Sequence, residues 1–176
     1  MSKKIIFIGL ITLSILCFST LIHAEQYYDQ YNGIAFVPEE ETDNYIRQIT
    51  GYIQHDGTND AVYFCPVTFN VPDGSTFFIK SIGMLYRDNL TDGYIKVRLR
   101  RKNLYTCIWH EVATWQSDYA SAVSSPRTAS QGTNVGYKLV DTKKFSYWLV
   151  IQFERDGDVA PGTDLQLHQV RIHYGT

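Results

Sequence analysis

The stretch from Val62 to Arg100 allows few folds. It holds three apolar runs separated by two turn clusters, Asn70 to Gly74 and Arg87 to Gly93. Short apolar runs punctuated by Gly, Pro, Asn and Asp mark consecutive antiparallel strands. The last run is the cleanest alternation in the chain, with Ile95, Val97 and Leu99 on one face and Lys96, Arg98 and Arg100 on the other. One face is core and the other meets water, as in an antiparallel sheet.

The same pattern continues on both sides. A short strand is expected over 33–38 and another over 45–55, with a bulge near Gly51, because glycine inside a strand often marks one. The run 61–69 contains Pro66, which places the strand at a sheet edge or breaks it there. The run 75–87 changes parity between Ile79 and Ile82, and the run 164–174 slips by one residue at His168-Gln169. The first change predicts a bulge or a corner, and the second a one-residue slip. Phe145 to Phe153 is apolar on both faces and belongs in the middle of a sheet, and a short strand is expected over 136–140. Ser117 to Val135 is rich in Ser, Ala, Thr and Gly without periodicity, and reads mostly as a long loop available for contact, with room for one short strand. No segment has helical spacing. About eight or nine short strands with regular turns give an all-β, antiparallel β-sandwich of jelly-roll-like type.

The first 24 residues read as a signal peptide. Lys3 and Lys4 precede an apolar run from Ile5 to Cys17, and Ala24 is a small residue at the expected cut. The run is short for a membrane span, which needs about 20 residues, so no stable span is expected after cleavage. Residues 25–32 are polar and tyrosine-rich and read as a loose N-terminal arm, with a single sandwich domain over 33–176. The expected location is secreted or periplasmic. Losing Lys3 and Lys4 with no acid moves the formal net charge from −2 to −4, which argues against a nucleic-acid partner. Oligomeric state is not fixed by the sequence.

The leader-free chain keeps two cysteines, Cys65 and Cys107. An oxidising compartment lets such a pair form a disulfide, closing a loop of about 40 residues worth about 4 kcal/mol on the chain-entropy model. Two separate buried thiols are the alternative.

The positions Phe36 and Pro38, Phe64, Pro66 and Val67, Pro72-Asp73-Gly74, Asp88-Asn89, Val97, Leu99 and Arg100, and Leu165, Leu167, Val170-Arg171-Ile172 and Tyr174 together resemble a diffuse family of uncharacterised exported bacterial β-sandwich proteins. The resemblance runs from Ile34 to Tyr174. It implies a fold and carries over no catalytic residues. Cys65, where the family has a small residue, and the aromatic Trp109–Trp115 segment depart from it.

Function is less constrained. In a regular strand Trp109, Glu111 and Trp115 share one face, which is unusual for a core stripe, and flat aromatic faces can stack on sugar rings. These three are the candidate ligand-binding residues, against the alternative that tryptophan is packed in the core. Trp148, between Tyr147 and Leu149, reads as core. Asp88, Asp92, Asp156 and Asp158 could supply calcium ligands, although Asp, Asn and Gly favour turns by themselves. No other cofactor is implied. Arg98, Arg100, Arg101 and Lys102 form a basic stretch that reads as a solvated face or as a contact for an anionic glycan or lipid. His55, His110, His168 and His173 lack zinc-enzyme spacing, and no Gly-x-Ser-x-Gly elbow is present. The expectation is an exported non-enzymatic binding module for carbohydrate or another cell-surface component. A self-assembling structural protein is the second reading. A glycan-acting hydrolase using a pair such as Glu111 and Glu154 is the third.

Overall fold

A computed structural model describes residues 26–39, 45–47, 51–55, 60–72, 74–90, 93–119, 123–133, 139–155 and 165–176. The leader segment, Asp92, Asp156, Asp158 and residues 136–138 lie outside the described residues. Two antiparallel sheets form the sandwich of jelly-roll type expected from the sequence, with eleven strands among the described residues.

Sheet A contains β1 (Gln26–Asn32), β3 (Tyr45–Arg47), β4 (Ile53–His55), β6 (Phe78–Asp88), β9 (Val123–Gly132) and β11 (Leu165–Gly175). Its strands run β3-β4-β11-β6-β9, and β1 pairs with β11 beside Gln169 to Gly175, on the edge that β4 occupies at Gln166 and Leu167. Sheet B runs β2-β5-β10-β7-β8, from β2 (Val37–Pro38), β5 (Ala61–Val67), β10 (Phe145–Arg155), β7 (Gly93–Asn103) and β8 (Trp109–Gln116).

The alternating residues build the core. Ile95, Val97 and Leu99 of β7 meet Leu149, Ile151 and Phe153 of β10, and all six are fully buried. Ile82, Met84 and Tyr86 of β6 and Val170, Ile172 and Tyr174 of β11 face them from sheet A. Phe69 closes one end, edge-on to Tyr147 at 4.9 Å and to Tyr174 at 5.0 Å. Each such side chain contributes about 1.5–3 kcal/mol by leaving water. Both expected slips exist: β6 carries an extra residue at Lys80, and β11 carries one at His168. Pro66 lies where β5 has β10 on one side and, among the described residues, no strand on the other.

Four expectations are corrected. Residues 26–32 are not a loose arm; they pair with β11 over seven positions, because Tyr27 and Tyr31 pack on the core while Tyr28 and Gln30 face out. The segment 45–55 is not one bulged strand; β3 and β4 pair with each other, with Gly51 at φ +98° between them. The stretch expected to be mostly loop after Ser117, with at most one short strand, holds the ten-residue β9, an edge strand on β6. Its small polar residues suit a strand with exposed flanks, and Pro126 falls in an irregularity where no ladder donor is required. Finally, Cys65 and Cys107 are both free. Cys65 points into the core from β5, whereas Cys107 is exposed in the turn between β7 and β8, in a left-handed conformation at φ 58°.

Candidate functional site

The sheet A register sets three rows of outward side chains across four strands. Gly132, Ser81, His173 and Tyr28 form one row, Ser130, Gly83, Arg171 and Gln30 the next, and Thr128, Leu85, Gln169 and Asn32 the third. They surround an open groove of about 460 Å³, lined by Tyr28, Ser81, Gly83, Thr128, Ser130, Gln169, Arg171 and His173 among others. Gly83 is its floor, since the middle row has no side chain there.

Tyr28 forms one wall. Its ring stacks on His173, directly opposite in the register, with centroids 4.6 Å apart and planes 12° from parallel. The Arg171 guanidinium lies 5.7 Å from the same ring. Tyr28 still keeps 52% of its surface exposed, so an aromatic face held by its neighbours is available to a ligand. Around it stand hydroxyl and amide groups, and Gln169 donates a hydrogen bond to Gln30 at 3.1 Å. The described lining residues carry one guanidinium, one imidazole and no carboxylate. Beyond Tyr28 a second hollow of about 350 Å³ is lined by Asp29, Asn70, Val71, Pro72 and Tyr174. Burial there raises the Asp29 carboxyl, and burial together with nearby Asp29 pushes the Tyr174 phenol up to about 12.

The residues singled out in β8 are not brought together. The β7–β8 register pairs Leu99 with Ala113 but Arg100 with Glu111, leaving Val112 as an extra residue. That bulge reverses the parity. Trp109 and Glu111 stay on the outer face of sheet B, while Trp115 turns inward, is 5% exposed and packs on Tyr86 at 4.6 Å. The shared face expected of Trp109 and Trp115 therefore does not exist. Trp148, expected in the core, is half-buried on the outer face, because its neighbours Tyr147 and Leu149 take the inward positions.

Asp88 is buried at the end of β6 rather than open in a turn. Its carboxylate accepts hydrogen bonds from the Ser117 hydroxyl and from the Leu90 amide at 3.0 Å. Ser117 Oγ in turn accepts from the Ile95 amide at 2.8 Å. Burial pushes this carboxyl above the usual range, opposed by the Ser117 and Leu90 bonds. Asp88 joins β6 to β7 as a structural acid. Among the described residues no group of three His, Cys, Asp or Glu is placed to hold a metal ion.

Sequence reasoning missed Tyr28, Gly83 and Arg171. A signal was available in β11, where Gln169, Arg171 and His173 interrupt the core positions, and in β6, where a glycine breaks an apolar run.

No protein-family model and no curated protein matches the sequence. The chain is similar to the solved xylan-binding module CBM15, with a TM-score of 0.51 and 7% identity over 85% of this chain and 97% of that one. It is also similar to the CBM22-1–GH10 modules of the Clostridium thermocellum endo-1,4-beta-D-xylanase 10B complexed with xylohexaose, with a TM-score of 0.47 and 9% identity over 82% of this chain and 26% of that one. A third similarity is to the infectious bursal disease virus Gx strain structure, with a TM-score of 0.43 and 9% identity over 87% and 32% of the two chains. At 7% identity the likeness to CBM15 shows a shared fold alone, and function has to be argued from the site.

Proposed function

We propose that this chain is a non-enzymatic carbohydrate-binding module, acting outside the cytoplasm, that seats an oligosaccharide in the groove of sheet A. The observation that carries this reading is the groove itself: a floor opened by Gly83, a half-exposed Tyr28 on one wall, and a lining of hydroxyl, amide and guanidinium groups. A sugar ring presents CH groups to a π face, whose quadrupole is negative, and hydroxyls to the polar groups around it. Mostly preformed sites with a few placed polar groups are the usual form of a small-ligand site. The fold shared with a xylan-binding module supports the same reading. Hydrolysis of a glycosidic bond generally needs two carboxyl groups flanking it, and the described residues that line the groove supply none.

The test is calorimetric titration with xylo-, cello- and mannooligosaccharides. Binding of at least one of them should weaken about tenfold in Tyr28→Ala, equivalent to about 1.4 kcal/mol. A blank panel, or binding unmoved by Tyr28→Ala and Gln169→Ala, removes the reading.

A further inference from the structure

The basic stretch of β7 has a use that the groove leaves unexplained. Arg98, Arg100 and Lys102 all project from the outer face of sheet B, together with Lys96. Arg101 does not belong with them. It turns inward, 8% exposed, with its guanidinium 3.9 Å from the Phe145 ring and Nη1 donating to the Leu139 carbonyl at 3.5 Å.

Alternate residues on a strand stand about 7 Å apart, inside the Debye length of about 8 Å at physiological salt. The four cations therefore repel one another along the strand. Their cross-strand neighbours relieve little of this. Opposite them lie Gln116, Thr114, Glu111 and Trp109 on β8 and Gln152, Val150, Trp148 and Ser146 on β10, with Glu111 the one carboxylate. Glu154, which accepts a hydrogen bond from Tyr94, and Asp118, which accepts one from Gln116 at 2.9 Å, stand toward the Lys96 end. The unbalanced part is Arg98, Arg100 and Lys102.

Those three are also ordered. Arg98 donates to Gln152 at 2.9 Å. The Trp109 ring holds Arg100 at 5.3 Å and Lys102 at 5.6 Å from its centroid. Trp109 remains 39% exposed and Trp148 is half-buried on the other side of Arg100. The result is a flat face with a row of spaced cations between two indole rings, on a chain whose formal net charge is −2.

We propose that this face is a second binding surface, for an acidic polysaccharide. Guanidinium forks match carboxylates bidentately. A polymer with one carboxylate per sugar also offers ring faces to Trp109 and Trp148. A nucleic acid suits the surface less well, because its charge, one per about 1.7 Å in duplex DNA, is far denser than a row of cations spaced about 7 Å apart.

The experiment is surface plasmon resonance on immobilised polygalacturonate at about 10 mM and about 1 M salt, where the Debye length is about 30 Å and about 3 Å. The protein should bind at low salt and release at high salt. R98Q/R100Q should lose at least about tenfold in affinity, R98K/R100K should keep most of it, and Tyr28→Ala should leave it unchanged, each with an unaltered melting curve. Lys102→Glu is the second variant if R98Q/R100Q does not fold, and should weaken binding in the same direction. Absence of low-salt binding, indifference to R98Q/R100Q and Lys102→Glu, an equal loss in Tyr28→Ala, or tighter binding of oligothymidylate than of polygalacturonate overturns the proposal. The groove reading is decided separately, by the neutral oligosaccharides.

Discussion

Gly83 lies in the middle of β6, where glycine is normally a liability. A glycine inside a strand destabilises by about 0.5–1 kcal/mol relative to alanine. Two structural reasons could justify it, and neither applies. Its φ is not in the left-handed region, unlike Gly51 and Gly74. A Cβ built on it would meet the Ala129 carbonyl at 3.6 Å and Arg171 Cβ at 4.0 Å, which is ordinary contact. Gly33 shows the contrast, since a Cβ there would run into the Ile53 amide and the Leu167 carbonyl. Gly83→Ala should therefore raise stability by about 0.5–1 kcal/mol. At about 2–4 °C per kcal/mol for a chain of this size, that is a gain of about 1–4 °C in Tm. Gly83→Val should keep that stability, since branched side chains suit strands. Its two methyl groups would stand on the groove floor and weaken oligosaccharide binding more than tenfold, or about 1.4 kcal/mol. Calorimetry of unfolding and titration of ligand, on the same samples, should thus move in opposite directions. A loss of more than about 1 kcal/mol in Gly83→Ala would assign the glycine to packing. Wild-type binding by Gly83→Val would show that no ligand uses the floor.

The bulge at Val112 makes the two tryptophans of β8 unequal. Trp115→Ala should cost about 3–5 kcal/mol as a core truncation, while Trp109→Ala should cost under about 1 kcal/mol; equal shifts of the urea midpoint would mean that β8 is regular. Asp88 gives a pH dependence. Because burial raises its folded pKa above the ordinary value near 3.8, its contribution is fully present below that value and is lost as pH rises through the folded pKa. Asp88→Asn should gain on the wild type between about pH 4 and pH 7, and a constant Tm difference across that range would contradict it.

Much of the fold was legible because core packing writes itself into alternation. The β7 stripe of Ile95, Val97 and Leu99 set one sheet face, and the slips at Lys80 and His168 followed from changes of parity in β6 and β11. What alternation alone could not carry was lost. β9 is an edge strand with exposed small residues, so nothing apolar records its period. The Val112 bulge leaves two buried residues, Val112 and Ala113, adjacent in sequence, and neither marks it, because alanine and valine fit both faces of the pattern. The cysteines illustrate a different limit, since a bridge depends on where two side chains point, and Cys107 is exposed in the turn before β8 while Cys65 is buried in β5.

The groove was illegible for a further reason. Tyr28, Gly83, Ser130 and Arg171 come from four strands that only the sheet order makes neighbours. The outward positions of a sandwich are not constrained by the core, so most of them accept any polar residue at little cost. The informative ones are those that stability alone would not select. A mid-strand glycine with room for a side chain, a tyrosine left half-exposed over a histidine, and three ordered cations in a row each sacrifice some stability or solubility. In sheet A such choices converge on one hollow, and in sheet B on one flat stripe. A hollow suits a short ligand enclosed by hydroxyl and amide partners, whereas a stripe of charge suits a long one that is held by its repeat. On the two proposals made above, the faces would divide recognition between the shape of a few sugars and the charge of a polymer.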